Sequence, residues 1–130
     1  MDLERQLHGE VRIDFRLFPL GPAGDEHFVA ALTALCVARQ GDVWEFLRRW
    51  SERSDGPPEL LDLAADQGLH ADALRVCLED PGSRAQLEFE MSAGFEAGVF
   101  ATPFTFVNGQ LVRGRRPELL RAAVDRELSK

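Results

Sequence analysis

Cysteine is the side chain with the most reactive chemistry in this sequence, and it occurs twice, as Cys36 and Cys77. Their spacing matches neither the Cys-x-x-Cys of dithiol enzymes nor the ligand spacing of a zinc site. Cys36 lies on the apolar stripe of a predicted helix, where loss of water raises the pKa of a thiol and makes it less reactive. The residues alone allow two free core thiols or one disulfide, and either way we predict that both cysteines are structural.

The other residue types that could carry chemistry do not form a recognisable site. The three histidines are isolated from any partner at ligand spacing, at His8, His27 and His70. No glycine-rich phosphate loop, Ser/His/Asp order or paired-carboxylate pattern is present. We therefore predict no catalytic residue, no metal site and no cofactor.

Composition limits the class of partner. The chain of 130 residues has 22 acidic against 15 basic side chains and a net charge of −7. Nucleic acids and anionic membranes are bound through excess positive charge, so we expect neither as a partner. No apolar run approaches the roughly 20 residues of a membrane-spanning helix. The first residues lack the basic start and apolar centre of a secretory signal, so the sequence as written suggests the cytoplasm without fixing the compartment.

Hydrophobic periodicity predicts the elements that would position these residues. Alternation of apolar side chains predicts a strand over 10–17, and a period of 3.6 then predicts five helices, the fourth carrying Cys77. Those helices are expected near 26–40, 42–50, 58–68 (opened by Pro58), 71–78 and 80–98. In the last of them Leu87, Met91 and Phe95 are expected on one side. Asn108-Gly109 predicts a tight hairpin between two short strands, and Pro117 opens a final helix. This order predicts an α/β layered fold with a helical insertion.

The stretch Ala101-Thr102-Pro103-Phe104, with the hairpin after it, resembles the Thr–cis-Pro strand of thioredoxin-fold proteins, specifically their DsbA-like branch. Supporting similarities lie over 11–20, over the helix after His27, and in the final helix after Gly114. The resemblance extends from Glu10 to the end of the chain. It implies a thioredoxin-like α/β fold of DsbA type, as one domain over residues 1–130 with a helical insertion at about 26–98.

The resemblance also implies specific roles for residues of this chain. It implies a cis bond between Thr102 and Pro103, and substrate binding by Ala101, Thr102 and Pro103, where backbone groups pair with an extended peptide or thiol substrate. A simpler interpretation is that Pro103 only begins a strand. In addition, relatives of this type can carry a bridge that ties the insertion together, which favours a Cys36–Cys77 disulfide.

The sequence departs from this family at its start. A first strand and a Cys-x-x-Cys helix should precede Glu10, and neither pattern is found in residues 1–9. We therefore expect an N-terminally incomplete domain, truncated or degenerate, of the thiol–disulfide oxidoreductase family. Without the dithiol, we expect this chain to be inactive alone while keeping its cis-proline loop.

Loss of the first strand has a physical consequence. That strand normally pairs with both of its neighbours, and each buried backbone group left unpaired costs about 1–3 kcal/mol. The remaining strands could pair directly, a second copy could fill the gap as a homo-oligomer, or a missing N-terminal segment could complete the sheet. The alternative function is therefore a non-enzymatic protein-binding or assembly domain that uses an exposed sheet edge. A third hypothesis assigns glutathione-linked transferase or isomerase chemistry to the same fold.

Overall fold

The computed structural model describes residues 9–21, 25–52 and 60–130. His8 and Pro58, singled out above, lie outside the described residues. In chain order the elements are α1 (Glu26–Ala38), α2 (Val43–Glu52), α3 (Leu60–Asp66), α4 (Ala71–Glu79), α5 (Pro81–Glu96), β1 (Phe104–Val107), β2 (Gln110–Arg113) and α6 (Pro117–Leu128). The five helices, the hairpin and the final helix are as the periodicity predicted.

Aspartate side chains fix the start of three helices. Asp25 accepts a hydrogen bond from the Phe28 amide at 2.9 Å, and Asp42 does the same for Trp44 at 2.9 Å. Asp80 accepts from the Gly82 amide at 2.9 Å in the first turn of α5. Each bond satisfies an amide that has no partner within its own helix, which is why short acidic side chains are favoured there.

The chain forms two compact units, each described by itself. The first, the helical unit, comprises residues 15–94, and the second, the hairpin unit, comprises residues 95–130 with 9–14. The core of the helical unit is built around α1, which packs against α2, α3 and α4. Nearly every side of α1 is apolar and buried, as expected of a helix surrounded by others. The largest fully buried side chains include Phe46, Leu74, Leu87 and Val37.

The predicted strand over 10–17 is wrong, because the structure has no strand in that segment. Instead, the Leu17 amide donates to a carboxylate oxygen of Glu90 on α5 at 2.9 Å. The Phe18 ring lies against Gly94, where a β-carbon would approach within 2.8 Å of it, and the Phe15 ring packs 5.0 Å from that of Trp44. Alternation of apolar residues shows which face of an extended segment is buried, but a strand also needs a neighbour that supplies ladder hydrogen bonds.

The three apolar residues predicted to share one side of α5 differ in exposure. Leu87 is fully buried and Met91 packs against the core, but Phe95 is 78% exposed. These three side chains share one side of the helix at successive turns. Periodicity identifies that side but not how far the neighbouring elements extend along it.

The hairpin unit contains one antiparallel pair of strands, with Phe104 opposite Arg113 and Val107 opposite Gln110. Asn108 and Gly109 both have positive φ, at 46° and 84°, as the tight two-residue turn requires. No further strand joins β1 or β2 among the residues the structure describes. Helix α6 packs on the hairpin and buries an apolar face formed by Val112, Ala123 and Val124.

The carboxylate of Glu127 supports this packing at the end of α6. It forms an ion pair with Lys130 at 2.5 Å. The contact with Lys130 holds the pKa of Glu127 below its usual value. A hydrogen bond from Asn108 lowers this pKa further, by a smaller amount. The last turn of α6 is therefore connected to the hairpin turn of the same unit.

A network of ion pairs lies on α2 and gives a testable pH dependence. Arg48 contacts Glu45 at 2.7 Å and Glu52 at 2.6 Å, and Arg49 contacts Glu45 at 2.9 Å. Hydrogen bonds from Arg48, and then from Arg49, lower the pKa of Glu45 to about 2.

Because folding lowers this pKa, the stabilisation from ionised Glu45 is present above its ordinary pKa of 4.5 and is lost as the pH falls toward about 2. We expect Glu45→Gln to lower the melting temperature at pH 7, and the difference from the unaltered chain to disappear near pH 2. Thermal unfolding of both chains across this range tests the expectation, with Glu88→Gln on α5 as a control carboxylate. A difference that persists unchanged at pH 2 would contradict it.

Candidate functional site

The loop before β1 contains the three residues predicted to bind substrate. The peptide bond between Thr102 and Pro103 is cis. Thr102 and Pro103 are exposed and Ala101 is half-buried. The chain runs from this loop directly into β1 at Phe104. The loop therefore places exposed backbone at the start of the strand.

The register of the hairpin shows which backbone groups of β1 point away from β2. A two-residue turn closes on a hydrogen-bonded pair, here Val107 with Gln110, and such pairs alternate along the ladder. Thr105 is therefore the next residue that bonds to β2. The amide and carbonyl groups of Phe104 and Phe106 point to the opposite edge. That edge pairs with no other strand in the described part of the chain.

A row of aromatic rings lies beside this edge. The Phe100 and Phe104 ring centroids are 5.6 Å apart, and those of Phe104 and Phe106 are 5.4 Å apart. Phe100 is 74% exposed and Phe106 is 43% exposed. Sequence reasoning did not single out Phe100. The signal available for the other two rings was their spacing of two in a strand, which places them on one face.

The two cysteines form a disulfide in the helical unit. Cys36 on α1 is bonded to Cys77 on α4, with α-carbons 5.9 Å apart. Cys36 is 1% exposed and Cys77 is half-buried. Of the two arrangements that the sequence left open, the structure has the bridge.

Polar side chains that the sequence did not reveal surround one sulfur of the bridge. The Arg39 guanidinium donates to Cys77 Sγ at 3.2 Å, to Ser83 Oγ at 2.9 Å and to Gln86 Oε1 at 2.6 Å. Ser83 Oγ also lies 3.3 Å from Cys77 Sγ. No motif marks these residues, because they come from the end of α1 and the start of α5, and only folding places them around Cys77.

Among the residues that the structure describes, no group of three or more histidine, cysteine, aspartate or glutamate side chains is arranged to hold a metal ion. None of the helices in 9–21, 25–52 and 60–130 has the length and apolar character needed to cross a membrane.

Comparison with known proteins gives a family match and one similar protein. The chain is 28% identical over 115 residues to the Na(+)/H(+) antiporter NhaA of Herminiimonas arsenicoxydans, covering 87% of this chain and 18% of the antiporter. No solved structure matches. The profile of a family described as thioredoxin matches residues 2–126. The helices, the hairpin and the cis-proline loop before β1 thus lie in a chain that belongs to the thioredoxin family.

Proposed function

We propose that this chain is a DsbA-like thioredoxin-fold domain that binds an extended polypeptide at the loop Ala101-Thr102-Pro103 and along β1. The observation that carries the proposal is the edge of β1, where the backbone groups of Phe104 and Phe106 point away from β2. An added peptide strand would use these groups and the backbone of Thr102. Main-chain hydrogen bonds would supply affinity with little dependence on peptide sequence.

The exposed rings beside the edge support this mode of binding. Side chains of an added strand alternate between the two faces of the sheet, so every second one would lie on the side of Phe104 and Phe106. Burial of apolar area against aromatic rings strengthens binding. We therefore propose that the preferred peptides carry apolar side chains at alternate positions.

The proposal assigns no Cys-x-x-Cys turnover to this 130-residue chain. In Cys-x-x-Cys enzymes the attacking thiolate lies at the start of a helix and the second thiol follows three residues later. The sequence has two cysteines and they are bonded to each other in the helical unit, with Cys36 buried. We expect the chain not to catalyse the reduction of insulin. Turnover that is abolished by alkylating Cys36 or Cys77 would contradict this expectation.

Backbone hydrogen exchange tests the peptide site directly. The probe is insulin B chain with its cysteines alkylated, because it is extended and cannot exchange thiols. We expect the amides of Thr102, Phe104 and Phe106 to gain protection on binding, while the amides of Thr105 and Val107, which already face β2, change little. Protection without this alternation, or no protection at saturating peptide, would overturn the proposal.

A pair of substitutions separates the backbone from the side chain. Thr102→Pro removes an amide that an added strand would need, and Thr102→Ala keeps it. We expect the alanine variant to bind the alkylated B chain as the unaltered chain does and the proline variant to lose at least ~10-fold in affinity, the equivalent of about one hydrogen bond. Equal affinity of the two variants, with equal melting temperatures, would show that this amide does not bind peptide.

A second candidate function is assembly of a protein complex, with another copy of this chain at the same edge. Two antiparallel copies of β1 would be self-complementary across a two-fold axis, because each presents the same outward groups. Sedimentation over a range of concentrations distinguishes this candidate. A concentration-dependent dimer that Phe106→Lys dissociates, with no binding of the alkylated B chain, would favour assembly over peptide binding.

The similarity to an antiporter does not extend the proposal to ion transport. The chain spans 18% of the length of that protein. Ion transport by the whole antiporter is therefore not proposed for this chain.

A further inference from the structure

The Cys36–Cys77 disulfide is markedly asymmetric. Cys36 Sγ belongs to a residue that is 1% exposed and lies in the apolar core of the helical unit. Cys77 is half-buried, and its sulfur contacts the guanidinium of Arg39 and the hydroxyl of Ser83. One sulfur is therefore in an apolar environment and the other is beside a cation and a hydroxyl group.

Arg39 is held in this position by contacts on both sides of the bridge. Its backbone amide donates to the Cys36 carbonyl at 3.2 Å, at the end of α1. Its guanidinium donates to Ser83 and Gln86 on α5 as well as to Cys77. Because the guanidinium has several bonds besides the one to sulfur, opening of the disulfide would leave it in place beside Cys77.

Other charged side chains on α4 and α5 bond to groups other than Cys77. On α4, Arg75 pairs with Asp72 at 2.9 Å, and on α5, Arg84 pairs with Glu88 at 3.1 Å. The Asp80 carboxylate, between these helices, accepts the Gly82 amide. The guanidinium of Arg39 is therefore the charged group that contacts Cys77 Sγ.

The two thiols formed by opening this bridge would differ in reactivity. A thiolate is favoured beside a cation and hydrogen-bond donors, and disfavoured in apolar surroundings. Cys77 would therefore be the more nucleophilic thiol, and Cys36 would remain protonated until a disulfide forms beside it. The same division of roles, one accessible attacking thiol and one buried resolving thiol, is what dithiol exchange requires.

We propose that Cys77 is a thiol-exchange site for low-molecular-weight disulfides, with Cys36 as its resolving partner and Arg39 as its positioning residue. In the reduced chain the Cys77 thiolate attacks one sulfur of a small disulfide. A mixed disulfide forms and one small thiolate leaves with the electron pair of the broken bond. The Cys36 thiol then attacks Cys77 Sγ and its proton passes to the departing small thiolate, which closes the bridge and releases the second small thiol.

The reverse direction opens the bridge at the cost of two external thiols. One thiolate attacks the accessible Cys77 Sγ and displaces Cys36, which takes up a proton. A second thiolate attacks the external sulfur of the mixed disulfide and displaces the Cys77 thiolate. The products are the Cys36–Cys77 dithiol and one oxidised small disulfide, so the site is a two-electron couple.

Differential alkylation of the full chain tests this proposal. The chain is reduced with dithiothreitol, freed of reductant and treated with limiting iodoacetamide at pH 7, and each cysteine is quantified by peptide mass. We expect Cys77 to be alkylated at least ~10-fold faster than Cys36, the difference that one unit of pKa produces in thiolate fraction. Equal rates at the two cysteines, whether the reduced chain stays folded or unfolds, would overturn the proposal.

Two arginine variants show whether Arg39 causes the greater reactivity of the Cys77 thiol. Arg39→Met keeps an unbranched side chain but removes the charge, and Arg84→Met removes a charge that pairs with Glu88 instead. We expect the first to slow Cys77 alkylation at pH 7 by ~10-fold and to raise the pH midpoint of the reaction, and the second to change neither. An unchanged midpoint in Arg39→Met would contradict the assignment.

A chain with a single cysteine identifies the sulfur that exchanges. In Cys36→Ser we expect oxidised glutathione to form a stable mixed disulfide at Cys77, and in Cys77→Ser we expect no adduct at Cys36 in the folded chain. The unaltered reduced chain should instead return to the Cys36–Cys77 bridge without a lasting adduct. An adduct on Cys36, or none on Cys77, would refute the division of roles.

Discussion

Replacing Phe46 by alanine is expected to destabilise the helical unit by about 3–5 kcal/mol. The Phe46 side chain on α2 is 1% exposed and belongs to the core formed with α1. Its removal would lose the transfer free energy of a large ring and leave a cavity that α1 and α2 can close only in part. Because the free energy of unfolding of a domain is about 5–15 kcal/mol, this single change would remove a large fraction of it.

Phe89→Ala is the matched control, since the same atoms are removed from a ring that is 74% exposed on α5. We expect the control to change the free energy of unfolding by less than ~0.5 kcal/mol. Urea unfolding followed by helical circular dichroism measures both variants. Similar losses from the two substitutions would show that burial of Phe46 does not stabilise the helical unit.

Breaking the Cys36–Cys77 bridge is expected to cost about 4 kcal/mol. The bridge joins residues with a sequence separation of 41, and closing a loop of that length removes entropy from the unfolded chain in the chain-entropy model. The bridge connects α1, at the centre of the helical unit, to α4. Its loss should therefore lower the midpoint of unfolding of the helices.

The measurement compares urea unfolding of the unaltered chain with and without dithiothreitol. The double variant Cys36→Ala/Cys77→Ala is the control, because reductant should not affect it. A reductant effect of similar size in the double variant, or none in the unaltered chain, would contradict a stabilising bridge. The oxidised glutathione experiment above uses Cys36→Ser, so the melting temperature of that variant should be measured at the same time.

The elements formed mainly by local interactions were predicted from the sequence. Asn108-Gly109 specifies a tight turn because both residues tolerate positive φ, and Pro117 fits the first turn of α6 because its missing amide has no partner there. Helix α1 was predicted because its apolar residues recur at the period of a helix. In each case the information lies within a few neighbouring residues.

The prediction that failed depended on partners distant in sequence. The segment 10–17 has the alternation of a strand, but the Leu17 amide is bonded to the Glu90 carboxylate and no ladder forms. Local pattern constrains backbone shape and the apolar face, whereas pairing and burial are settled by which remote groups come close.

For the candidate sites, the sequence by itself determined the residue types: two cysteines, and a threonine–proline stretch followed by a hairpin signal. Only the tertiary structure decided that Cys36 and Cys77 are joined and that Arg39 and Ser83 contact one sulfur of the pair. It also decided which edge of β1 is left without a strand in the described residues. The reason is physical: helix and turn preferences act over a few residues, whereas a disulfide, a guanidinium contact and a strand edge depend on groups that only folding brings within bonding distance.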